Sequence, residues 1–90
     1  METNFAVGDV VKSLSGHDQN RLFIVVDIDK TGFIAIIDGR YREKSKPKLK
    51  NPKHLEFVAH DEELLNKVNS PNVTNAEIYK LIKAYKQIKE

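Results

Sequence analysis

The sequence predicts a mainly β fold with a helical C-terminal third, and three observations carry that reading. Short runs rich in β-branched and aromatic residues lie at 7–13, 22–28, 33–37 and 55–58, separated by glycine-containing turns. Helical periodicity comes only after Ala59. Ninety residues allow one domain with a small appendage, so the core must be compact.

Met1 to Ala6 reads as a loose lead-in. Val7 to Ser13 is the first strand, and a polar loop follows in which the lone Gly16, among Ser15, His17 and Asp18, marks a backbone reversal. Leu22 to Ile28 is continuously apolar until Asp27, as expected for a strand buried on both faces. Asp29 to Gly32 forms a turn, Phe33 to Ile37 runs back as a third strand, and Asp38-Gly39 is a hairpin signal. From Arg42 to Lys50 every second residue is basic, a spacing that puts Arg42, Lys44, Lys46, Lys48 and Lys50 on one face of an extended chain. Pro47 and Pro52 restrict that segment to an edge strand passing into a surface loop. Leu55, Phe57 and Val58 supply the strand expected to close the sheet into a barrel.

Beyond Ala59, Asp61, Glu62 and Glu63 begin a short helix that Asn69, Ser70 and Pro71 end. Thr74 and Glu77 form a capping box for a last helix over 75–89, in which Ile78, Leu81, Ile82, Tyr85 and Ile88 make an apolar stripe and Lys83, Lys86 and Lys89 lie toward the C-terminal end. The expected domains are therefore a barrel over 1–59 and a helical appendage over 60–90 packed on it. An apolar stripe can instead serve a partner protein.

Composition narrows the chemistry. Without cysteine there is no disulfide framework, thiolate metal site or catalytic thiol. The opening METNFAVGDV has neither a basic region nor a sustained apolar stretch, so no secretory leader is expected. The longest apolar runs, 22–26 and 33–37, fall far short of the roughly 20 residues that span a bilayer. A soluble cytoplasmic protein without membrane partners is expected. His17, His54 and His60 lack ligand spacing, and no phosphate loop, nucleophile elbow or dinucleotide fingerprint is present, so neither an enzyme nor a cofactor is expected. The net charge of +2 hides an asymmetry: residues 40–54 carry +6 and the rest of the chain −4. Such a concentrated basic segment on a mildly acidic body points to a polyanion. Tyr41, between Arg40 and Arg42, would face away from them in a regular strand, which favours a core or covering role.

Val-Gly-Asp-Val-Val, then Ser-Gly-His-Asp and Phe-Ile-Val-Val-Asp-Ile, resemble the KOW motif of ribosomal and transcription-elongation proteins. With Ile-Asp-Gly-Arg-Tyr-Arg and Lys-Pro-Lys-Leu-Lys-Asn-Pro-Lys-His-Leu, the stretch from Val7 to Val58 is similar to small bacterial KOW-domain RNA-binding proteins related to ribosomal protein L14e. The resemblance implies an SH3-like barrel and a non-catalytic protein that binds RNA, above all ribosomal RNA or the ribosome. It implies contacts from the KOW loop, and together with the basic segment read from its charge the expected RNA-binding residues are Lys12, Gly16, His17, Gln19, Asn20, Arg21, Arg40, Arg42, Lys44, Lys46, Lys48, Lys50 and Lys53. The family often has a basic residue after the loop glycine and a second glycine three positions later, where this chain has His17 and Asn20. Two other classes compete: a protein-interaction module using the barrel or the C-terminal helix, and a non-specific DNA binder.

Overall fold

In the computed structural model, which describes residues 5–88 (side chains through 85), five antiparallel strands form one sheet followed by two helices. The strands are β1 (Asp9–Ser13), β2 (Leu22–Ile28), β3 (Ile34–Ile37), β4 (Lys48–Lys50) and β5 (Leu55–His60), in spatial order β4-β3-β2-β1-β5. The helices are α1 (Glu62–Val68) and α2 (Asn75–Ile88). Residues 1–4 of the expected lead-in, and the side chains of Lys86, Ile88 and Lys89, lie outside the described residues. Among the described residues no helix is long and apolar enough to cross a membrane.

Cross-strand register sorts the core into two layers. Val10, Ile24 and Ile37 pair across β1, β2 and β3 and face the helices, where they meet Leu64, Val68, Ile78 and Ile82. Val11, Phe23, Val25, Ile34, Ile36 and Leu55 fill the opposite face. Because β2 contributes Ile24 to one layer and Phe23 and Val25 to the other, its run is apolar without alternation. The Ile78 and Ile82 part of the last helix's stripe belongs to the same core as the sheet.

The sheet is strongly curled but its ladder is not closed. Only Asn51 to His54, mostly a 3-10 turn at Pro52–His54, connect β4 to β5, yet these are the opposite edges of the sheet. In a flat sheet those edges would be roughly 19 Å apart, four spacings of about 4.8 Å. Bulges at Val10/Val11 and between Val25 and Asp27 supply the bending that brings them together. The expected closure by the last strand therefore does not take the form of a backbone ladder: β5 pairs with β1, and no β4–β5 pairing exists among the described residues.

Two further expectations are corrected. The alternating basic strand over 42–50 shrinks to the three residues of β4, because 38–47 is a loop, so the five cations do not share one face. Asp38-Gly39 is not a two-residue hairpin turn; it starts that loop. Asp38 Oδ1 accepts the backbone N–H groups of Arg40, Tyr41 and Arg42 at 2.8–2.9 Å, and this local bonding replaces the ladder.

Both helix starts are capped as the residues dictate. Asp61 accepts from Leu64 N, and Thr74 and Glu77 exchange the two bonds of a capping box. Tyr85 on α2 donates to Asp61, and burial together with that bond pushes the phenol pKa up to about 12. Gly39 lets α2 approach the sheet: its φ is +83°, and a Cβ there would lie 2.2 Å from the Asn75 carbonyl oxygen and 2.7 Å from Tyr79 N. His60 on β5 bridges Asp9 through Nδ1 at 2.7 Å and Glu62 through Nε2 at 2.8 Å, so β1, β5 and α1 meet at one imidazole. The bond to Asp9, then that to Glu62, raises the His60 pKa.

Gly39→Ala combines positive-φ strain with overpacking, each about 1–3 kcal/mol, and should cost at least about 2 kcal/mol in urea denaturation. Gly16→Ala shares the φ, +83°, but its Cβ would meet nothing closer than 3.7 Å, so it should cost only about 1 kcal/mol. Equal costs would mean that helix approach at Gly39 is not the constraint. The raised His60 pKa predicts a pH effect of defined sign. The native state holds that proton more tightly than the unfolded chain, so its stabilisation is complete below about pH 6.5 and disappears as pH rises through the higher folded value. Melting temperature should fall across that window, and less so in His60→Gln.

Candidate nucleic-acid interface

The loop between β1 and β2 is built around a buried carboxylate. Asp18, 6% exposed, accepts from Ser13 Oγ at 2.7 Å and Lys50 Nζ at 2.7 Å through Oδ1, and from Lys48 Nζ at 2.9 Å through Oδ2. Lys50 Nζ also donates to the Ser15 carbonyl at 2.9 Å. Burial alone would raise the Asp18 pKa, but the bonds from Lys50, Ser13 and Lys48 outweigh it and hold the carboxyl well below the usual carboxylate range. Lys48 and Lys50 pair in register with Ile36 and Ile34, so they point to the inner face and reach the loop across the curled sheet.

The structure puts the residues of the expected contact set in different settings. Lys50, 7% exposed, is an interior ion-pair partner and does not belong to an outer basic face; Lys48 shares its carboxylate. Lys12 lies 3.8 Å from Glu56 on the neighbouring strand, and Lys53 is exposed in the 3-10 turn. The remaining residues divide between two loops. His17, Gln19 and Asn20 are exposed on the first; Gly16 makes its reversal, and Asn20 takes φ +71° at its end. Arg40, Arg42, Lys44 and Lys46 are exposed on the second. That loop is tied to the helical layer by Lys44 N on Asn75 Oδ1, Lys44 Nζ on the Ser70 carbonyl, and Arg40 Nη1 on Tyr79 Oη.

Arg21, at the end of the first loop, joins the two. Its guanidinium carbon lies 3.6 Å from the Tyr41 ring centre, and that of Arg40 lies 5.2 Å from the same ring and 5.4 Å from Tyr79. Tyr41 is thus neither core nor cover; it is 49% exposed and flanked by cations. Among the described residues Arg21, Arg40, Arg42 and Lys83 take part in no ion pair, and the guanidinium groups of Arg21 and Arg40 are held by aromatic rings. A cleft of about 210 Å³ opens beside them, lined by Asn20, Arg21, Leu22, Asp38, Tyr41, Tyr79, Ile82 and Lys83.

Tyr79, Lys83 and Asp38 belong to the cleft without a motif in the sequence that marks them as site residues. The available signal was modest: Tyr79 and Lys83 sit one helical turn apart, directly after Ile78 and Ile82 of the apolar stripe, on the flank turned toward the 38–47 loop. A second, larger groove of about 630 Å³ is bordered by Val73, Leu81 and Ala84 between the helices. No family model and no curated protein matches this chain.

Asp18→Asn should leave Lys50 buried without its counter-charge and cost about 3–5 kcal/mol at neutral pH. Because the native pKa is depressed, the carboxylate's stabilisation is complete above about pH 4 and is lost as pH falls toward the folded value. Denaturation at pH 7, 4 and 3 should therefore show wild type converging on the variant in acid. Parallel curves would remove Asp18 from this role.

Proposed function

We propose that this is a non-catalytic RNA-binding protein, associated with ribosomal RNA or the ribosome in the cytoplasm and built on an SH3-like barrel of the KOW type. The observation that carries the reading is the exposed Tyr41 ring with the Arg21 and Arg40 guanidinium groups against it, neither of them in an ion pair. Guanidinium groups held over an aromatic ring keep their in-plane N–H donors for phosphate and their outer faces for stacking on bases. Lys44, Lys46, Arg42 and Lys83 extend the positive surface around them.

Two features support the KOW reading. Asn20 takes a left-handed conformation where the resembled motif has glycine, so the bend is kept with a residue type that tolerates it. The short 3-10 connection between the two edge strands of the sheet is compatible with a partly open barrel. A second reading, a protein-interaction module, draws on the groove between α1 and α2 with its apolar residues Val73, Leu81 and Ala84.

Fluorescence titration with RNA tests the proposal. If four to six cations meet phosphates, log Kd should vary with log salt with a slope of magnitude about 3–5. Arg21→Glu with Arg40→Glu should weaken binding at least tenfold, roughly 1.4 kcal/mol. Lys67→Glu, on α1, should change it little. Salt-independent binding, or full retention in the double variant, would refute the proposal; tighter binding of duplex DNA than of RNA would favour a DNA binder.

A further inference from the structure

Asp38 is an anomaly in a basic cleft. It is 3% exposed, and the three backbone N–H groups of its loop all bond to Oδ1. Oδ2 has no donor among the described residues, although Asp38 lines the cleft. No fully buried side-chain polar atom of the described residues lacks a partner, so this oxygen is not sealed in; Asp38 lines the cleft, with Arg40 within electrostatic reach but not hydrogen-bonded to it. A carboxylate oxygen poised this way asks for an N–H donor from outside, because an unpaired acceptor loses its hydration without replacement.

The surroundings define the donor's shape. The two tyrosines make aromatic walls, and Leu22 and Ile82 add apolar surface. Volume limits the guest: about 210 Å³ is below the roughly 300 Å³ at which drug-sized pockets begin, leaving room for one flat heterocycle. Lys83 and the Asn20 amide are donors at the same cleft, suited to an acceptor on the guest.

We propose that the cleft takes one unpaired guanine, read through Asp38 Oδ2, so that the RNA bound here is single-stranded at that position; this rests on the RNA-binding reading above. Guanine alone among the four bases presents two adjacent donors, N1–H and the N2 amino group, with the O6 acceptor beside them for Lys83 or Asn20. Uracil offers one N–H between two carbonyl oxygens that a carboxylate repels. Cytosine and adenine place a ring-nitrogen acceptor next to their amino group. In a duplex the Watson–Crick edge is occupied and the base stays in the stack, so only an unpaired nucleotide can enter.

Anisotropy titrations with nine-nucleotide uridine RNAs carrying one central G, inosine, A, C or U test this at fixed salt. The G oligonucleotide should bind at least about fivefold tighter than the U one, the lower end of what a well-paired base edge contributes. Inosine, lacking the N2 amino group, should fall between, and annealing the G strand to its complement should remove the advantage. Asp38→Asn keeps an oxygen for the loop and replaces the free acceptor by a donor, so it should erase the preference; its 1H–15N spectrum shows whether the fold is kept. The inosine comparison needs no variant. Equal binding of all five RNAs with a steep salt dependence overturns the guanine site and leaves the RNA-binding reading standing. A preference that survives in folded Asp38→Asn also overturns it. Absence of binding to every RNA overturns both.

Discussion

The buried pairing of Asp18 with Lys50 is the constraint on which the site depends. Backbone hydrogen bonds run from β4 to β5 without closing the ring, so the seam has to be held by side chains. Asp18 descends from the β1–β2 loop and Lys50 and Lys48 reach in from β4, so one carboxylate joins the loop to the far edge of the sheet. Burial of these charges is costly, and the cost is offset because Ser13, Lys48 and Lys50 donate to the carboxylate together. Remaining residues of the loop, His17, Gln19 and Asn20, are thereby presented outward on a fixed frame.

Two groups of cations in this small protein are held in contrasting ways. Those in register with the inner apolar layer, Lys48 and Lys50, are neutralised by Asp18. Those on the loop surfaces, Arg21 and Arg40, are ordered by Tyr41 and Tyr79 instead. An aromatic partner fixes a guanidinium without cancelling its charge, which a carboxylate cannot do. Order without neutralisation suits the proposed polyanion binding, since flexible lysines lose side-chain entropy on binding.

Helix α2 serves both the core and the surface. Ile78 and Ile82 bury into the sheet, which fixes the helix's rotation, and Tyr79 and Lys83 are then carried to the cleft. Gly39 sets how near the helix can come, placing the Asn75–Tyr79 turn directly against the loop that holds Arg40 and Tyr41. The C-terminal segment is in this sense a wall of the site as well as part of its core.

By itself the sequence determined what local rules control: the extent of β2 from its unbroken apolar run, the acidic first turn and stop signals that bound α1, the capping box that begins α2, and the reversal at Gly16. It also determined that positive charge is concentrated between Arg40 and His54. Which of those charges remain available was decided only in three dimensions. Even spacing of lysines suggests one exposed face, but Asp38 captures the backbone of the next residues into a loop, and only Lys48–Lys50 stays extended with two ammonium groups turned inward. Likewise Tyr41 is joined to Arg21 and, through its neighbour Arg40, to Tyr79, separations that no pattern along the chain encodes. Local propensity acts over a few residues, whereas the closing contacts of a curled sheet join residues about 30 apart, and their energy depends on desolvation that exists only once the core has formed.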